Sequence, residues 1–127
     1  MLLDSPVLLW ILTDSPRLGV KARRALTVAT VVHFSAASVW ELTIKSMLGK
    51  LELPADFGAR LADYGLSALP VTTDHATGIR EFPELVRHDP FDRILVSQAA
   101  QERLSLLTAD TTLLRNCEPR LVIDATQ

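Results

Sequence analysis

Residues 88–110 read "HDPFDRILVSQAAQERLSLLTAD", and their reading decides the fold. Wound as a helix, "PFDRILVSQAAQERL" (90–104) is apolar on most of its faces, so it has to be covered on more than one side. The "SLLTAD" that follows (105–110) is a short apolar run, which reads as a buried strand with an acid at its end. Working outward, the same alternation recurs. "LLD" (2–4) opens as a strand, with one helix expected from Pro6 and another from Pro16 through Leu26. "VVHFS" (31–35) is β-branched and apolar, a second strand. A helix is predicted over 36–50, with Val39, Leu42 and Leu48 among its apolar positions and Gly49 near its end. A short helix is predicted over 54–65, a third strand over 67–71, and a helix over 73–82 capped by Thr73 or Asp74. Residues 111–116 give a last short helix and 120–124 a last strand. Such alternation predicts an α/β fold with a mostly parallel sheet covered on both faces.

A chain of 127 residues is one domain's worth, and 48% hydrophobic residues suffice for a core, so 1–127 is read as a single domain. The lone Cys117 cannot form an internal disulfide, so a reducing, cytoplasmic setting is expected; it is read as a semi-buried small residue. The run "VLLWIL" (7–12) is far short of the ~20 residues a bilayer needs, and no basic residue precedes it as in a signal peptide. No membrane association is expected. The net charge of −2 is the wrong sign for binding nucleic acid by bulk attraction, though a basic strip or bound metal ions could still do so.

Four acids fall where an α/β sheet presents ligands. Asp4 and Asp110 end predicted strands, Glu41 lies two turns past another, and Asp92 opens the buried helix. Each also has a structural explanation. Ser38-Val39-Trp40-Glu41 fits a capping box, Asp89-Pro90-Phe91-Asp92 a helix entry, and Asp110 or Asp4 a helix start. Taken together, four carboxylates converging on one sheet edge would repel unless cations joined them. An all-oxygen set suits Mg²⁺ or Mn²⁺ rather than Zn²⁺, and such ions activate water against a phosphodiester. Ser5 and Thr108 are hydroxyls placed to orient a carboxylate, with Ser5 equally placed to cap a helix.

The segments "MLLDSPVLLW", "FSAASVWELTIKSMLGKLELP", "LPVTTDHA", "HDPFDRILVSQAAQERLSLLTAD" and "RLVIDA" together resemble a PIN-domain ribonuclease of the VapC toxin type. The resemblance runs almost end to end. It implies a three-layer α/β/α domain with a central parallel sheet of four to five strands, and Mg²⁺- or Mn²⁺-dependent endonucleolytic cleavage of RNA. It places the family's acidic quartet on Asp4, Glu41, Asp92 and Asp110. It also implies a homodimer and a VapB-type antitoxin as partners. Where relatives commonly read Asp-Thr-His, this chain reads Asp4-Ser5-Pro6. The hydroxyl is kept; an imidazole and a backbone N–H are lost.

Lys45, one turn beyond Glu41, is either an i,i+4 partner of that acid or a phosphate contact, and Arg93 has the same ambiguity. Trp10 and Trp40 read as core or partner-surface packing. His33 and His75 lack ligand spacing, and His88 is expected to be exposed. Three other functions compete: an aspartyl phosphotransferase, disfavoured by Pro6 where a second acid would stand; a non-catalytic binding module with the acids as caps; and a PIN nuclease of RNA processing. The tripeptide Asp-Ser-Pro occurs at 4–6 and again at 14–16; Asp14 follows a helix and is read as a turn residue.

Overall fold

Leu2 and Leu3 are neighbours in sequence, both fully buried, and belong to different hydrophobic cores. That is the two-residue period of a strand with both faces covered. The computed structural model describes residues 1–127. It contains five strands: β1 (Leu2–Leu3), β2 (His33–Ser35), β3 (Ser67–Leu69), β4 (Leu106–Thr108) and β5 (Val122–Asp124). All are parallel, in the order β3-β2-β1-β4-β5. Seven helices surround them: α1 (Ser5–Leu12), α2 (Val20–Val28), α3 (Ala36–Met47), α4 (Phe57–Asp63), α5 (Thr73–Thr77), α6 (Pro90–Gln101) and α7 (Thr111–Asn116).

The two cores divide the helices. Leu3, Phe34 and Leu107 pack with Val7, Ala22, Leu42 and Leu61, so α1 to α4 contribute to one face. Leu2, Leu106 and Val122 pack with Leu95, Val96, Ala99 and Leu113, so α6 and α7 cover the other. Each such leucine contributes about 1.5–3 kcal/mol by leaving water. The result is the expected three-layer α/β/α arrangement. The chain winds outward from β1 to β3, then returns past β1 to β4 and β5. The helices of the outward and return paths lie on opposite faces, as the right-handed rule for parallel crossovers requires. The direction reverses between β1 and β4, the place where an open α/β sheet presents a crevice at the carboxyl ends of its strands.

Several predicted boundaries shift. The second helix starts at Val20, not Pro16, because Arg23 folds back: its Nε donates to the Leu18 carbonyl and its Nη2 to the Ser15 carbonyl, which holds 15–18 as a turn. Gly19 then caps α2, and a Cβ there would collide with the Gln127 backbone. The fourth helix begins at Phe57, since Pro54 opens a turn closed by the Phe57 N–H. The third ends at Met47, leaving Leu48 as an exposed cap rather than a core position. The fifth is capped by Thr72, not Thr73 or Asp74, and passes after Thr77 into 3₁₀ turns at Gly78–Glu81 and Pro83–Leu85. The sixth ends at Gln101, before Arg103 turns at φ 55°.

α6 is covered on more than one side, and two of its buried residues are polar. Ser97 donates to the His75 carbonyl at 2.6 Å and Gln98 to the Pro70 carbonyl at 3.2 Å, fastening α5 beneath it. His75 is itself buried, with Nε2 2.8 Å from Glu102. No helix is long and apolar enough to cross a membrane.

Candidate active site

The crevice between β1 and β4 gathers all four singled-out acids. Asp4 leaves β1 and precedes α1. Its side chain makes no cap bond to that helix and is only 2% exposed. Asp4 Oδ2 accepts a hydrogen bond from Thr108 Oγ1, while Asp4 Oδ1 is buried with no hydrogen-bond partner. Thr108 ends β4, the strand beside β1, and its Oγ1 also accepts from the Asp110 N–H at 3.0 Å. One hydroxyl therefore fixes two of the acids. Asp110 caps α7 with Oδ1, which accepts from the Leu113 N–H at 2.9 Å, and keeps Oδ2 free for the crevice.

Glu41 is not the closing residue of a capping box with Ser38. α3 starts a turn earlier, capped by Ser35, whose Oγ accepts from the Ala37 N–H. Glu41 thus sits in the helix's second turn. Its Oε1 accepts from Ser5 Oγ at 2.7 Å and its Oε2 pairs with Lys45 Nζ at 3.0 Å. Ser5 therefore orients a carboxylate, and Lys45 adopts the i,i+4 pairing. Asp92 stands in the first turn of α6 but is not its cap; that is Asp89, whose Oδ1 accepts from Phe91 and Asp92. Arg93 is half-buried and forms no ion pair with any of the acids; its Nε is buried without a partner. The caps-only reading holds for Asp110 alone, and there for one oxygen of two.

Electrostatics confirm that the acids feel one another. Burial pushes the Asp4 carboxyl up to about 7, with the Thr108 hydrogen bond opposing and the charges of Asp92, Glu41 and Asp110 adding to the rise. Asp92 is pushed up to about 6, first by burial and then by Asp110 and Asp89; His88 opposes. A buried carboxylate oxygen without a donor, ringed by other carboxylates, is matched by a divalent cation. The oxygen-rich donor set fits Mg²⁺ or Mn²⁺.

The residue that sequence reasoning missed is His88. Instead of being exposed, its side chain is 19% accessible and lies between two of the acids: Nε2 is 3.1 Å from Asp92 Oδ2 and 3.3 Å from Asp110 Oδ2. The one available signal was its i,i+4 spacing to Asp92 across the Asp89-Pro90 helix entry. Of the two readings of Trp40, core or partner surface, the structure excludes the core: it is 64% exposed and packs edge-on against Phe91 with ring centroids 5.1 Å apart. Asp14 is a turn residue, as expected, at φ 49° with its carboxylate paired to Arg23.

Comparison with known proteins adds a family. The sequence model of the PIN domain matches residues 1–119. Among solved structures, a toxin–antitoxin complex from Klebsiella pneumoniae is similar, with a TM-score of 0.65 and 17% identity over 98% of this chain and 96% of that one. So is VapBC2 from Rickettsia felis bound to a DNA fragment from their promoter, with a TM-score of 0.66 and 16% identity over 95% of this chain and 94% of that one. At these identities the likeness speaks for the fold. Among curated proteins, none matches.

Proposed function

This chain belongs to the PIN domain family, and from that premise we propose that it is a Mg²⁺- or Mn²⁺-dependent endoribonuclease, the toxin of a VapBC-type toxin–antitoxin pair. The observation that carries the reading is Asp4 Oδ1, buried and unpartnered in a crevice that also holds Asp92, Asp110 and Glu41. Asp4, Asp92 and Asp110 would hold the cation, with Glu41 at the rim. A phosphodiester is an anion and would be repelled by these carboxylates alone. When bound, a divalent cation supplies neutralisation of that charge and activation of water.

The chain's own residues do the rest. Thr108 keeps Asp4 and Asp110 in one register, so that their free oxygens face the same space. Ser5 fixes the Glu41 carboxylate, and Lys45 holds its second oxygen while keeping a positive charge at the crevice mouth. Lys45 and Arg93 are the nearest candidates for RNA-phosphate contacts, Lys45 by exchanging Glu41 for substrate. RNA as substrate, a homodimer and a VapB-type antitoxin are part of the same proposal. One of the similar structures is described as a toxin–antitoxin complex and the other as VapBC2 bound to promoter DNA. The α3 face exposes Trp40, Ile44, Met47 and Leu48 in a row, an apolar stripe of the kind that protein partners cover.

The test is cleavage of a panel of structured and unstructured RNAs by purified protein. Cutting is expected only with Mg²⁺ or Mn²⁺, and Asp4→Asn should abolish it. Cutting that persists after chelation, or in a folded Asp4→Asn variant, would remove the metal mechanism.

A further inference from the structure

His88 lies at the mouth of the same crevice, and nothing in the quartet reading uses it. Its Nε2 is buried and makes no hydrogen bond, although Asp92 Oδ2 and Asp110 Oδ2 lie 3.1 and 3.3 Å away. The three atoms nevertheless lie within 4.8 Å of one another, a spacing at which a single ion reaches all of them. Asp110 has only Oδ2 to offer, since Oδ1 is taken by the Leu113 N–H. Asp4, more than nine-tenths buried with its Oδ1 unpartnered, interacts electrostatically with the same two acids.

We propose that His88 Nε2 is a metal ligand of this site, joining Asp92 and Asp110, and that it biases the site from Mg²⁺ toward transition-metal dications such as Mn²⁺ and Co²⁺. This rests on the reading that the crevice holds a divalent ion. Mg²⁺ takes oxygen donors almost exclusively and gives up its waters reluctantly. An imidazole nitrogen adds affinity that rises from Mn²⁺ to Co²⁺ along the first-row series. The site is then selective through one nitrogen rather than through its carboxylates, which bind all these ions.

The experiment uses metal-stripped full-length protein with Mg²⁺, Mn²⁺ and Co²⁺ as probes. Affinities are measured by calorimetry for wild type, His88→Ala and Asp92→Asn, and the nitrogen coupling of bound Mn²⁺ by pulsed electron paramagnetic resonance. Wild type should show an imidazole nitrogen coupled to Mn²⁺. In His88→Ala that coupling should vanish, with Mn²⁺ and Co²⁺ weakened by at least ~10-fold and Mg²⁺ by less than ~3-fold. Absence of the coupling in wild type overturns the proposal, whether or not the variant folds. So does equal weakening of all three ions, or tighter binding once His88 is removed, which would make it a resident counter-cation. If wild type binds no dication, or Asp92→Asn binds as wild type does, the parent reading falls as well. Those results are separable from a loss of selectivity alone.

Discussion

Thr108 shows how much of the site depends on one side chain that does no chemistry itself. Its hydroxyl donates to Asp4 Oδ2 and accepts from the Asp110 N–H, so it carries two of its neighbours' constraints at once. Thr108→Val keeps the shape of this fully buried residue and removes both bonds. Stability should fall by about 1–3 kcal/mol in denaturant titration, and metal-dependent cleavage by ~10–100-fold as the carboxylates lose their register. Thr108→Ser should recover most of both; a variant pair of equal activity would show that the hydroxyl does not position the acids. The two Asp-Ser-Pro copies make the complementary case. Asp4 and Asp14 share their sequence context and nothing else. Asp14 sits exposed at φ 49°, a conformation asparagine also tolerates. Asp14→Asn should therefore cleave RNA at the wild-type rate, whereas Asp4→Asn should not cleave it at all.

At the scale of elements, α6 separates two acids that look alike in sequence. Asp89 spends its Oδ1 on the helix's first N–H groups; Asp92 turns its carboxylate into the crevice. Asp89→Ala should cost ~1 kcal/mol of stability as a lost cap, with metal affinity retained. Asp92→Asn should leave the cap intact and lose metal binding; calorimetry beside thermal melts distinguishes the two. The sequence carried the strands well, because a buried parallel strand is a short apolar run and "SLLTAD" or "VVHFS" has few other readings. It carried the acids too, since three of them stand at strand ends or helix starts. The rest depended on long-range packing. The start of α2 is set by Arg23 bonding back to carbonyls at 15 and 18 and by the Gln127 backbone lying against Gly19. Ser38 and Glu41 matched a capping box one turn out of phase, because Ser35 already capped the helix. His88 was invisible for the same reason: its second partner, Asp110, is 22 residues away in sequence and arrives only when β4 pairs beside β1.

Over the whole molecule, the strand order brings β1 and β4 together and so forces the acids of two distant segments into one crevice. The fold thereby holds together charges that the unfolded chain keeps apart, and its stability should record this. Asp4 titrates near 7 and Asp92 near 6 in the folded state, against 3.8 for each as a free carboxyl. Between 3.8 and those values the folded protein holds more protons than the unfolded chain. Stability therefore declines as pH rises through this window, and the decline is complete about one unit above the Asp4 value. Metal-free protein should melt at a lower temperature at pH 8 than at pH 5. Asp4→Asn, which has no proton to lose there, should show a flatter profile. A dication acts in the opposite sense, binding the deprotonated folded form alone. At 100 times its dissociation constant it adds about 2.7 kcal/mol, and more of that gain is realised as Asp4 and Asp92 ionise. Melting temperatures with and without Mn²⁺ should thus diverge as pH rises from 5 to 8. Parallel profiles would mean that the crevice carboxylates are not the groups that bind the ion, and an Asp4→Asn variant with the wild-type slope would mean that Asp4 is not a source of the pH dependence.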